Sequence, residues 1–150
     1  MLASQVSAAS APVKIAGRDF MVSPLSDRDF DELSLWHQGR ILRIARASLD
    51  AQSTPGEREE TLKAAFAYAS GIDFFTEAQT GGILGQKEVM VQFVWRLMRR
   101  SQTFSLEDAK KIVESGDGID TILDAWHLVQ FGTPGKAVED PEKNAGSPGV

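Results

Sequence analysis

The chain predicts a mainly α-helical domain of about five helices, preceded by a small N-terminal β-hairpin. Three observations carry that reading. Val13, Ile15, Phe20 and Val22 are strand-type residues set around a glycine turn. Polar cap signals stand at Ser26, Thr54 and Ser105, each with an acidic residue three positions on. Such a pair lets a cap side chain and a first-turn carboxylate satisfy the unpaired N–H groups of a helix start. Between the caps, apolar residues recur at three- and four-residue steps, the period of a helix with one buried face.

The hairpin turn is Ala16-Gly17-Arg18-Asp19, where Gly17 can take the positive φ that a tight turn needs. Pro24 ends strand pairing. A two-stranded hairpin is not stable alone in water, so this one must dock on the helices that follow. The first helix should run from about Ser26 to Leu49, with Phe30, Leu33, His37, Ile41, Ile44 and Ala45 on one face. Leu35, Leu42 and Leu49 form a second stripe at seven-residue spacing, with Gly39 on the same side. Glycine inside a helix costs ~1 kcal/mol relative to alanine, so a close helix approach is expected at Gly39.

Thr54-Pro55-Gly56-Glu57 opens the second helix, with proline at the first helical position. Leu62, Ala65, Phe66 and Ala69 are its expected buried stripe. Gly71 ends or bends it, Ile72 to Phe75 forms a further turn or short helix, and Gly81-Gly82 with Gly85 makes a flexible corner. The third helix spans about Gln86 to Ser101. Met90, Phe93, Val94 and Leu97 face inward there, and Gln92, Arg96, Arg99 and Arg100 lie opposite. The fourth opens at Ser105, buries Leu106, Ala109 and Val113, and stops at Gly116. The fifth starts near Asp117, buries Ile119, Ile122, Leu123, Trp126 and Val129, and ends at Phe131-Gly132.

Residues 1 to 11 are small and polar without periodicity and read as a disordered arm. Residues 12 to 132 read as a single helical domain, and residues 133 to 150 as a disordered tail of proline, glycine and charge. At 150 residues, 42% hydrophobic and 25% charged, the chain has globular composition. No run approaches the ~20 apolar residues of a membrane helix. The opening lacks the basic start and apolar core of a signal peptide. There is no cysteine for a disulfide, a thiolate zinc site or a nucleophile. The simple expectation is a cytoplasmic protein. A net charge of −5 argues against a general nucleic-acid binder. The local exception is Arg96, Arg99 and Arg100 after Trp95, and basic residues at a helix end also complement its dipole.

No cluster is built for chemistry. His37 and His127 each follow a tryptophan, one per helix, without the i, i+4 pairing of a helical metal site. Partly buried, hydrogen-bonded histidines are the expectation. Asp27, Asp29, Asp31 and Glu32 alternate like a calcium loop but lack its glycine and closing glutamate, and they suit the first turn of a helix. Gly81 to Gly85 matches neither the phosphate-loop nor the dinucleotide spacing. The expectation is a non-enzymatic protein without a cofactor or metal. Trp95 and Trp126 read as core anchors, whereas Trp36 beside the leucine stripe suits an exposed face. Leu35, Trp36, Gly39, Leu42 and Leu49, with Arg96, Arg99 and Arg100, are the candidate partner-binding residues, and self-association is one use of them.

Ile15-Ala16-Gly17-Arg18-Asp19-Phe20, then Ser23-Pro24-Leu25-Ser26, resembles the opening of tail assembly chaperones of long-tailed bacteriophages. Val94 to Arg100, followed by Phe104-Ser105-Leu106-Glu107-Asp108, is similar to a tryptophan-bearing helix and acidic cap in the same family. The likeness covers roughly residues 13 to 115, and departs from the family at Gln102-Thr103, where a proline-aspartate step is common. It implies a helical chaperone in the host cell cytoplasm that binds the tape measure protein, helps recruit tail tube subunits, and is absent from the finished particle. A structural connector or minor virion protein, and a small DNA-associated helical protein using the three arginines, remain alternatives.

Many members of that family are made in two lengths by a ribosomal frameshift. Glu142-Lys143-Asn144 can be encoded GAA-AAA-AAC, which contains a −1 slip heptamer. The amino acids allow this heptamer without requiring it, and sequencing the gene shows whether it exists and whether an overlapping −1 frame stays open beyond Val150. Other codons at these positions exclude this site, and a −1 frame closed across the whole tail removes frameshifting as support.

Overall fold

The computed structural model describes residues 9–80 and 82–132. The expected arm up to residue 8, Gly81 of the glycine corner, and the tail from 133 to 150 with its Glu142-Lys143-Asn144 step lie outside the described residues. The chain divides into two units. One holds the residues up to Leu25 and those from Met90 onward; the other is Ser26–Val89.

In the first unit, alternation and a turn make the hairpin. β1 (Ala11–Ile15) pairs antiparallel with β2 (Arg18–Val22), Val13 opposite Phe20 and Ile15 opposite Arg18. Ala11, the last residue of the expected arm, is thus ordered opposite Val22 and buried. The two-residue link has φ of 52° at Ala16 and 80° at Gly17, the positive pair that a type I′ turn requires. Every second residue of β1 is buried, and so are Phe20 and Val22, giving one apolar face.

That face is covered by α6 (Ile119–Phe131), which packs on both strands. Trp126 of α6 is fully buried, edge-to-face with Phe93 at 4.9 Å. Phe93 belongs to α4 (Lys87–Met98), whose Met90, Val94 and Leu97 are buried as their spacing predicts. The short α5 (Leu106–Ser115) starts with the capping box of Ser105 and Asp108 and stops at Gly116. Leu106, expected inside, is 41% exposed. It is the first residue of its helix, and Phe104 before the cap takes the inner place, 5.9 Å from the Phe20 ring.

The second unit is built on α1 (Asp27–Ala47), α2 (Pro55–Ser70) and α3 (Phe74–Thr80), followed by a 3₁₀ turn at Ile83–Gly85. With α4 to α6 these make six α-helices among the described residues. Both expected capping boxes form, Ser26 with Asp29 and Thr54 with Glu57. Phe30, Leu33 and His37 of α1, Ala69 of α2, and Phe74 and Ala78 of α3 are buried. Phe30 and Phe75 meet edge-to-face at 4.9 Å, and the Phe74 N–H donates to Ser34 Oγ at 3.3 Å. Helix α1 ends two residues short of the expected Leu49. Ser48 closes it by donating its hydroxyl back to the Ala45 carbonyl at 2.6 Å, a side-chain bond that competes with helix continuation.

At Gly118, just before α6, the helix start approaches Ile15 of the hairpin closely. The φ of Gly118 is +86°, and a Cβ there would stand 2.8 Å from Ile15 Cγ2. A left-handed conformation alone costs a substituted residue ~1–2 kcal/mol, and the collision adds to it. Gly118→Ala should therefore lower unfolding free energy by at least ~2 kcal/mol in urea denaturation. Wild-type stability in that variant would show that the hairpin does not seat on α6 at this point.

Candidate protein-binding surface

From Gln38 through Tyr68 no residue is buried. That span covers the second half of α1, the connection, and nearly all of α2. Asp50 organises the connection: its Oδ1 accepts from the Gln52 N–H at 2.9 Å, and its carbonyl accepts from Arg58 at 2.7 Å. The two helices pack on one another, yet their apolar side chains stay open. Leu35 is 67% exposed, Ile44 53%, Phe66 63% and Tyr68 67%. Leu35 and Ile44 lie on nearly opposite sides of α1, as Phe66 and Tyr68 do on α2, so the open side chains are spread around the pair. Leu35 on α1 and Phe66 on α2 are the positions tested for a partner.

The candidate residues fall unequally on this surface. Leu35 is open, Leu42 half-buried, and Gly39 exposed between them, so the spaced stripe persists along α1. Leu49 is off the helix, two residues beyond Ala47. Trp36 is half-buried, its ring stacked on His37 at 6.2 Å. The expected close helix approach at Gly39 is absent: apart from the adjoining residues and backbone of its own helix, no atom among the described residues lies within 4 Å of a Cβ placed there. Ile44 and Phe66, both expected inside, point to solvent. In α2 apolar residues run almost without a break from Ala64 to Ala69, so they surround the helix instead of marking a side, and only Ala69 is buried.

Arg40 fixes the midpoint of α1. Its guanidinium donates to Glu88 Oε1 at 2.7 Å and Gln86 Oε1 at 2.8 Å. That bond and the charges of Arg40 and Arg43 hold the Glu88 carboxyl below the usual carboxylate range. The other candidate arginines lie in the first unit and are engaged there. The Arg99 guanidinium sits 4.2 Å from the Trp95 ring centre and that of Arg96 5.6 Å, while Arg100 donates to the Pro24 carbonyl at 3.0 Å. These contacts bind the end of α4 to its own surroundings.

The histidines differ from the hydrogen-bonded expectation. Buried His37 lies edge-on to Phe74, and its Nδ1 has no hydrogen-bond partner among the described residues. Half-buried His127 lies among rings, 4.8 Å from Trp126 and 5.4 Å from Phe131. Among the described residues no three His, Asp or Glu side chains group to hold a metal ion, and no helix is long and apolar enough to cross a membrane. Comparison with protein-family models, curated proteins and solved structures gives no match.

Burial, and next the charge of Arg40, lower the His37 pKa below 6.5, with Glu77 opposing. The unfolded chain then binds the proton more readily than the folded one, so stability is complete above 6.5 and declines as pH falls through and below that value. Thermal unfolding between pH 7.5 and 5.5 should show a destabilisation on the acid side that His37→Gln removes. Equal pH dependence in wild type and variant would place the effect elsewhere.

Proposed function

We propose that this chain is a non-enzymatic assembly chaperone of a long-tailed bacteriophage, acting in the host cytoplasm. It binds an apolar helical segment of the tape measure protein along α1 and α2 and helps recruit tail tube subunits. The observation that carries the reading is the span from Gln38 to Tyr68, which has no buried residue, with Ile44, Phe66 and Tyr68 open within it and Leu35 open just before it. An amphipathic helix recognised by such a surface inserts anchors at three- and four-residue steps. Each large side chain it covers contributes ~1.5–3 kcal/mol of apolar burial. The family itself comes from the residues that resemble it, at Ile15 to Phe20, Ser23 to Ser26, Val94 to Arg100 and Phe104 to Asp108.

A partner also suits the energetics of the helices. Most helical stability in proteins comes from packing of a buried face, and from Gln38 to Tyr68 no residue is fully buried. Covering the open side chains stabilises the pair and the complex together. A DNA-associated role is less well supported, because Arg96, Arg99 and Arg100 are drawn onto Trp95 and Pro24.

The test is co-expression with helical segments of a long tape measure protein, expected on this reading to be encoded beside this gene. Leu35→Asp and Phe66→Asp, both at open positions, should leave the fold intact by circular dichroism. Together they should weaken capture at least tenfold, since each removes an anchor worth more than 1 kcal/mol. Undiminished capture by the folded double variant overturns the surface assignment. Recovery of the chain in purified particles would make it a structural component instead of a chaperone.

A further inference from the structure

The hairpin and the start of α5 enclose a second feature, separate from α1 and α2. It is a hollow of about 130 Å³ beside the Ala16-Gly17 turn. Its floor is apolar: Ile15 and Phe20 from the hairpin, Phe104 from the segment before α5, and Ile112 from α5. Its rim is charged, with Arg18 on one side and Lys111 and Asp108 on the other. The Asp108 carboxylate is already engaged, accepting from the Ser105 N–H at 2.9 Å in the capping box. Neither Arg18 nor Lys111 is in an ion pair among the described residues. The Arg18 guanidinium lies 5.0 Å from the Phe20 ring centre, which holds it over the apolar floor.

We propose that this hollow binds an acidic segment of a partner protein by taking one aromatic side chain into the pocket. Carboxylates flanking the aromatic residue lie on Arg18 and Lys111. The volume admits one side chain, and the apolar floor needs one to displace its water. The two cations on an otherwise acidic protein, set against a single carboxylate bound to its own helix, choose the sign of the flanking charge. A free phosphate or nucleic-acid backbone would meet the rim and leave the floor uncovered. This site does not depend on the chaperone reading and shares no residue with the α1 and α2 surface.

The test follows amide shifts of the full ¹⁵N-labelled chain during titration with the peptide acetyl-Glu-Phe-Glu-amide. Shifts should concentrate at residues 15–20 and 103–112 and weaken as salt rises. Acetyl-Lys-Phe-Lys-amide and acetyl-Glu-Ala-Glu-amide should each bind about tenfold more weakly, and Arg18→Gln with Lys111→Gln should cost the acidic peptide a similar factor. Both substituted side chains are exposed, so the variant keeps its fold. Equal affinity for the basic probe, or no loss in the double variant, overturns the proposal. So do shifts centred on α1 and α2, and so do shifts that follow protein concentration without peptide, which would assign the hollow to a second copy.

Discussion

The side-chain amide of Gln130 is the interaction on which the first unit depends. Its Oε1 accepts from the Leu25 backbone N–H at 2.8 Å and from Trp126 Nε1 at 3.0 Å, and its Nε2 donates to the Leu25 carbonyl at 3.0 Å. One residue of α6 thus pairs with a peptide unit as a neighbouring strand would, and fixes the buried indole at the same time. Gln102 repeats the device on β2, accepting from the Met21 N–H at 2.8 Å and donating to its carbonyl at 3.0 Å. In a two-residue hairpin the pair beside the turn is hydrogen-bonded and the pattern alternates, so Met21 and Pro12 present their backbone groups outward. Gln102 satisfies the first, and Pro12 has no N–H to satisfy. The Ser23 N–H continues the same edge onto the Leu97 carbonyl at 2.8 Å. The stretch of strand edge from Met21 to Ser23, which would otherwise invite pairing with another chain, is closed by groups of its own unit.

The second unit distributes its burial differently, and this difference underlies the functional reading. Phe30, Leu33, His37, Phe74 and Ala78 form a closed cluster near the start of α1. Beyond His37 the helices continue without a buried residue until Ala69. The closed part holds the pair in place, and the open part leaves apolar side chains uncovered. Local opening is cheapest where few side chains are buried, so in the proposed function recognition at this surface and its stabilisation are one event.

The fold was legible wherever its cause was local. Ser26, Thr54 and Ser105 with their acidic partners three residues on could be read directly, because a capping box is completed within one turn. The hairpin and the inner faces of α4 and α6 followed from periodicity. Leu35 and Leu42 were legible for the same reason. What sequence could not show depends mostly on distant neighbours: that Gln102 serves as a surrogate strand edge for Met21, that Gln130 pairs with the backbone of Leu25, and that Phe104 displaces Leu106 from the inside. The end of α1 at Ser48, before Leu49, rests on a local bond that was missed. Phe66 was misplaced because an alanine-rich run has no apolar side to read. The hollow at Arg18 and Lys111 had no signal in the sequence, since its floor and rim come from segments about ninety residues apart.

If α6 covers the hairpin and Gln130 ties the segment just after it, at Leu25, to the same helix, hairpin and α6 must open together. Native-state hydrogen exchange measures this directly. In the wild type, the amides of Val13, Ile15 and Phe20 should exchange through the same opening as those of α6 around Trp126. Gln130→Ala, which removes hydrogen bonds worth ~1 kcal/mol each, should lower the protection of both sets by the same amount. Hairpin amides that exchange by a separate, easier opening in the wild type would contradict the account. So would hairpin protection that is unchanged by Gln130→Ala.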